Sequence, residues 1–404
     1  MLISAIFLLS FALDATVAKV VNPVEPGPYT LTFEEDLRFG ADEDEDEYIW
    51  ADAQVVSSFS VAPNGYFYIA DVKNVRVLEF DDQGKFKQVI AGKGQGPGEY
   101  QFLQRFQILG DGSMVGFNTL QAAGKFHYYD ATGKFSSTKT VQDFSTIFYM
   151  PDFSPDGQMC YAWYLSADLE TGKIQFKTGL FDGELKPVRE LSAAPFPTPP
   201  SEPAKASDPT FWEDYIGLQF NTIISQGASL ARFMPNNDIL LANSQGYTIE
   251  VWSPGLKEKK LTIVKEYQPK PYTDADRDAI AAYIKDIFFN QAPNLLQVVT
   301  DEVIKRGLEK ADIPKSKNPI TEIVPMEDSH FMTLHQVNFI DGSFVGDLFD
   351  GKGTCIGRVD FPGKGVYSFF GLRVQFRNGF VYAMEQNEND ENQMVRYRYK
   401  LEKK

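Results

Sequence analysis

Short runs of aromatic and branched residues recur along the chain, separated by polar turns of two alternating kinds. The first kind is a small polar turn: Asn64-Gly65, Asp111-Gly112, Asp156-Gly157, Asn236-Asn237, Asp328-Ser329 and Asn378-Gly379. The second follows about 18 to 26 residues later and is entered by an aromatic residue, at Phe80–Phe86, Tyr129–Phe135, Phe181–Pro187, Trp252–Glu258 and Phe349–Cys355. Asn-Gly and Asp-Gly turns fit the twist of antiparallel strands. Two turns per unit therefore predict strand, turn, strand, connection, strand, turn, strand. That is the four-stranded blade of a β-propeller, and six first turns predict six blades.

Spacing supports the count. Gly65 to Gly112, Gly112 to Gly157 and Ser329 to Gly379 are 47, 45 and 50 residues apart, whereas Gly157 to Asn237 and Asn237 to Ser329 are 80 and 92. Each long gap contains a segment that does not read as strand. Residues 187–208 are proline-rich and predict an exposed loop. Residues 269–319 predict a helical insertion. There Thr273 precedes Asp274, Asp276 and Asp278 as an N-cap precedes an acidic first turn, and Ile280, Tyr283, Ile284, Ile287 and Phe288 recur at helical spacing. Pro293 separates a second amphipathic helix, Leu295–Lys310. The pair is expected to pack together on one face of the ring, as a cover for apolar surface or a cap that shapes a pocket.

The sixth unit runs out before its second turn. The isolated β-type run Tyr29–Phe33 is expected to supply the missing outer strand and close the ring. Closure matters because open strand edges invite aggregation. The fold class expected is thus all-β: a six-bladed β-propeller over residues 28–404, closed by an N-terminal strand and carrying a helical insertion.

A net charge of −16, with no local cluster of Lys and Arg, argues against nucleic acid as a partner. Leu2–Leu13 is apolar and Thr16-Val17-Ala18 fits a small-residue cleavage site, so residues 1–18 predict a signal peptide. The product is expected to be exported to the periplasm or beyond, without membrane insertion once the signal is removed, and to be a monomer. Cys160 and Cys355 fall in different units and predict two small buried strand residues. The acidic runs Asp42–Glu47 and Glu385–Glu391 lack the fixed glycine of a Ca²⁺ loop and predict solvated loops.

Residues Asn64–Phe86 carry a closer resemblance. Gly65, Ile69-Ala70-Asp71, Asn74-Val75-Arg76 and Phe80-Asp81 resemble the NHL repeat. The following Gly92–Phe102 is similar to the inter-blade segment of the bacterial six-bladed β-propeller family with NHL-like repeats. The resemblance implies a scaffold more than a reaction, although some related six-bladed rings are lactonases or lyases that hold a metal in the central channel. From the residues themselves, Asp71 is expected to accept backbone N–H bonds in its turn, and Arg76 to pair with an acid.

The chain offers three histidines, His127, His330 and His335, and no spacing that indicates a Ser-His-Asp or Cys-His arrangement. The function expected is noncatalytic binding or scaffolding, with a protein, peptide, glycan or small anionic ligand as partner and no cofactor or metal. A metal-dependent hydrolase, lactonase-like, or a lyase is the alternative. Polar residues just before the first turns are the candidate contacts. Arg105, with Gln104 and Gln107, stands in unit two and Arg373 in unit six. A guanidinium offers a bidentate fork to a carboxylate. The competing reading pairs both arginines with acids of neighbouring blades.

Overall fold

The computed structural model describes residues 17–40, 58–118, 124–141, 146–168, 171–196, 206–226, 229–243, 246–285, 294–312, 315–337, 344–364, 366–368, 371–389 and 391–404. The signal segment up to Thr16, the acidic run Asp42–Glu47, Ile287, Phe288, Pro293 and the His335 side chain lie outside the described residues.

Six antiparallel units follow one another, with inner strands Ser58–Val61, Leu103–Ile108, Thr146–Phe153, Ser229–Phe233, Glu322–Pro325 and Val374–Arg377. Each unit begins at its inner strand and works outward. Inner strands of consecutive units are neighbours, except that unit four's inner strand meets the third and fourth strands of unit three, and the inner strand of unit six returns to that of unit one. The apolar core is divided accordingly. One buried cluster fills each of the six junctions; Phe67, Ile69 and Phe80 of unit one, for instance, pack with Tyr382 and Met384 of unit six. Strands buried on both faces explain the near-continuous apolar runs in the sequence.

The expected turn chemistry is visible in detail. Asp71 accepts from Asn74 N at 3.2 Å and pairs with Arg76 at 2.8 Å, inside the same unit. Cys160 and Cys355 are buried free thiols, each pushed upward in pKa by burial.

The N-terminal arm spans three units. Ala18–Asn22 adds a parallel fifth strand to unit four. Asn22 then clasps the unit-five turn, donating to Gly353 O at 2.9 Å and accepting from Cys355 N at 2.7 Å. Gly27 crosses so close to unit five that a Cβ would lie 2.4 Å from Ile356 O, which only glycine permits. Tyr29–Phe39 finally pairs antiparallel with Asn392–Lys403, from Tyr29↔Lys403 to Phe39↔Met394, as the outermost strand of unit six. A single bridge, Tyr29↔Gly357, joins units five and six into one eight-stranded sheet.

Two sequence expectations need correction. Residues 187–208 are not one loop. Pro187–Pro195 is the outer strand of unit three, where an edge position tolerates proline because one side of the backbone has no ladder to complete. Pro209–Gln226 is a helix, α1, that was not anticipated. Asp208 accepts from Thr210 N at 2.9 Å and so caps it, with Pro209 at the first helical position. In the second insertion, helix α2, Asp274–Ile284, has Thr273 as its expected N-cap, and Asp276 completes a capping box with it. The second helix is shorter than expected: Leu295–Gln297 is a 3-10 turn, and helix α3 covers Asp301–Lys310 because Thr300 caps its start, accepting from Val303 N.

The three helices share a core of their own, with Trp212, Ile216 and Phe220 of α1 against Val303, Ile304 and Leu308 of α3. Gly217 and Gly307 let α1 and α3 cross closely, since a Cβ on Gly307 would meet Ile216 Cβ at 2.8 Å. Glu213 ties the crossing to Arg306 and Lys310 at 2.7 and 2.9 Å. Both insertions lie in connections from an outer strand to the next inner strand, so they share the face at which the inner strands begin.

Candidate ligand-binding channel

The inner strands of all six units line one cavity of about 530 Å³. Their sequences decide its character. Each inner strand ends at a first turn, and residues just before those turns face the axis. Arginines 105, 232, 373 and 377 line the cavity together with Asp152, Glu322 and Glu327. Phe106, Tyr161, Trp163, Phe233 and Phe376 supply aromatic surface. In a chain of net charge −16, four guanidinium groups against three carboxylates leave this cavity with a slight positive balance.

The polar groups divide into two sets. One set stitches adjacent units through the backbone. The Gln107 side-chain amide donates to Phe153 O and accepts from Phe153 N, both at 2.8 Å, across the junction of units two and three. Gln375 accepts from Val61 N at 3.0 Å, and Arg377 donates to Val61 O at 2.7 Å, joining unit six to unit one. Ser60 accepts from Ile108 N at 3.0 Å, Glu327 accepts from Asn378 N and Gly379 N at 2.5 and 2.7 Å, and Asn237 accepts from Asp156 N at 3.0 Å.

The second set consists of charge pairs. Arg105 meets Asp152 of unit three at 3.2 Å through one guanidinium nitrogen. Arg232 meets Glu322 of unit five at 2.5 Å, donates to Ala231 O and lies 5.3 Å from the centroid of the Tyr161 ring. Arg373 donates to the Asn392 side-chain oxygen at 2.9 Å, and burial pushes its pKa down to about 10. Burial disfavours the charged guanidinium, and an anion at this point would favour it.

The expected site residues therefore fare differently. Arg105 and Arg373 do share one cavity. Arg105 carries the neighbouring-blade acid of the competing reading; for Arg373 the named partner is an amide in its own unit. Gln107 faces the cavity, but its amide is engaged by backbone. Gln104 lies outside the lining. It is the extra residue of a bulge between the pairs Leu103↔Asn118 and Arg105↔Phe117, which turns Arg105 inward instead. Arg232 and Arg377 were missed, although both also precede a first turn.

Unit three departs from regular geometry at this wall. Between Tyr149↔Trp163 and Asp152↔Tyr161 the inner strand bulges, and Met150 has φ of 46°. Other non-glycine residues with positive φ fall in turns, so among the described residues Met150 alone holds this strained conformation within a strand. The bulge sets Met150 and Asp152 on the cavity wall beside Trp163.

Among the described residues no three His, Cys, Asp or Glu side chains gather closely enough to hold a metal ion. The lining carboxylates are instead bonded to guanidinium or amide groups, as detailed above. His127 is buried in unit two, 5.1 Å from the Tyr100 ring, and His330 is half-buried beside a turn.

Residues 56–199 match a family model, DUF5128, described as a 6-bladed beta-propeller. The chain has a β-propeller fold. No curated protein matches its sequence. Among solved structures it is similar to a member of the DUF4221 family from Bacteroides vulgatus, with 13% identity over 94% of this chain and 100% of that one, at a TM-score of 0.47. It is also similar to a Bacteroides fragilis protein described as a candidate exported protein, with 13% identity over 95% and 100% of the two chains and a TM-score of 0.44. A third is virginiamycin B lyase from Staphylococcus aureus, with 9% identity, 91% and 99% coverage and a TM-score of 0.41. Among the described residues no helix is long and apolar enough to cross a membrane.

Proposed function

We propose that this chain is an exported, noncatalytic binding protein with NHL-like repeats, and that its central channel holds a small anionic ligand or the acidic end of a peptide or glycan. The observation that carries the reading is the convergence of Arg105, Arg232, Arg373 and Arg377 on one cavity of about 530 Å³. That volume falls in the usual small-molecule range of roughly 300–1,000 Å³. Guanidinium groups held between aromatic walls bind carboxylates more strongly than they would in water, because the surroundings are less polarisable. Arg105 is the principal contact, since one nitrogen suffices for Asp152 and the rest of the fork is available. Export is supported by the apolar run Leu2–Leu13 and the cleavage pattern at Thr16–Ala18; cleavage there removes a single residue from the strand Ala18–Asn22.

The test is a binding screen of short acidic peptides, acidic glycans and small organic acids, read by thermal shift and then calorimetry. For a ligand so found, Arg105→Ala or Arg373→Ala is expected to weaken binding by about 2 kcal/mol or more, roughly 30-fold, with the thermal midpoint of the free protein little changed. Binding that survives both substitutions would move the site elsewhere, with the helical insertion as the next place to look.

A further inference from the structure

The channel wall carries more chemistry than a simple anion can use. We infer that its ligand is an acidic sugar, a pyranose ring bearing a carboxylate, free or at the end of a short glycan; this rests on the reading of the channel as a binding site. A plain anion needs donors only, and it would leave the acceptor oxygens of Asp152 and Glu322 on the cavity wall unused. A sugar ring has the complementary needs. Its hydroxyls donate to carboxylates and accept from guanidinium groups, while its own carboxylate takes a bidentate fork.

The two kinds of partner stand side by side here. Arg105 and Asp152, 3.2 Å apart, present a donor and an acceptor from adjacent units, and Arg232 and Glu322 repeat that arrangement at 2.5 Å. Between these pairs Trp163 and Tyr161 line the cavity, joined by a Trp163 Nε1 to Tyr161 hydroxyl bond of 3.0 Å that fixes the indole. A rigid aromatic surface suits the C–H face of a pyranose, which is apolar although its rim is polar. The Met150 bulge is what brings this wall together. Without the extra residue, strand alternation would turn Asp152 to the opposite face.

Calorimetry on the full chain with five probes tests the inference: sodium glucuronate, a glucuronate-ended disaccharide, glucose, sodium benzoate and inorganic phosphate. The expected result is binding of the uronate sugars ~10-fold or more tighter than glucose or benzoate, because benzoate lacks the hydroxyls and glucose the carboxylate that the site would hold. Trp163→Ala should weaken the uronates ~10-fold or more. Asp152→Asn separates the possibilities most sharply: it should weaken sugar binding yet strengthen benzoate and phosphate, since it removes a repelling charge. Equal or tighter binding of benzoate or phosphate in the unmodified protein, lost in Arg105→Ala, would overturn the sugar assignment while leaving the anion channel standing. No binding of either uronate would overturn it as well, and Arg105-dependent capture of an acidic peptide would then show that the channel reading survives.

Discussion

Deletion of Pro28–Phe39 is expected to yield protein that aggregates on expression or purification. This segment is the outermost strand of unit six and pairs along its length with Asn392–Lys403. Its apolar side chains are part of two junction cores. Leu31 is buried, Phe33 packs on Phe361 with ring centroids 5.2 Å apart, and Phe39 meets Phe67 at 5.0 Å. Three such side chains at roughly 1.5–3 kcal/mol each amount to about 5–9 kcal/mol. That is comparable to the whole stability of a typical domain, ~5–15 kcal/mol. The deletion also exposes a long strand edge in unit six. Size-exclusion chromatography and a thermal scan decide the matter. A peptide spanning Pro28–Phe39, added during refolding, should recover soluble protein by strand addition. A soluble deletion variant with an unchanged thermal midpoint would show that the strand is dispensable.

Asp347→Ala should be the most damaging single substitution among the buried polar residues. Asp347 faces Lys265 at 3.3 Å, and both side chains are almost wholly buried, at 2% and 3% exposure. Asp347 also accepts from the Tyr247 hydroxyl at 2.8 Å and pairs with Arg358 at 3.1 Å, while burial and the Asp347 charge hold Tyr247 well above its usual pKa. Lys265 has a second bond, to Val24 O at 2.7 Å in the N-terminal arm. Removing the carboxylate would leave a buried ammonium without its counter-charge at the junction between units four and five. Breaking one side of a buried pair costs about 3–5 kcal/mol, whereas replacing both sides with apolar groups is often close to neutral. The expected order of thermal midpoints is therefore unmodified protein, then Lys265→Met with Asp347→Leu, then Asp347→Ala alone. A single variant as stable as the double one would mean that Lys265 needs no counter-charge.

The sequence made the repeat legible because turn chemistry is local. Gly65, Gly112 and Gly157 take positive φ, of 85°, 88° and 68°, and mark their turns whatever the rest of the chain does. The α2 cap was equally local, a Thr and an Asp three residues apart. Helix α1 was concealed by its neighbourhood. Prolines upstream suggested a loop, yet Asp208-Pro209 followed by Trp212, Ile216 and Phe220 is a start signal with helical spacing. The channel was half legible for a different reason. Proximity to a first turn points to Arg105 and Arg373 and, applied to every unit, also to Arg232 and Arg377. It cannot show which side chains the neighbouring unit engages. Gln107 is spent on the Phe153 backbone, and the Gln104 bulge leaves no mark in composition. Trp163 sits on a second strand, and only the ring geometry brings it to the axis.

The backbone clasps around the channel carry an evolutionary consequence. A side chain that grips its neighbour's N–H and C=O asks of that neighbour only that it not be proline. Gln107 would hold any residue but proline at position 153, and Gln375 and Arg377 any residue but proline at 61. Units joined in this way can change sequence one at a time, without matched changes across the junction. Divergence of the later units from the first can thus accumulate while the axis keeps its width, and the cavity walls can be recut for a new ligand with the ring intact.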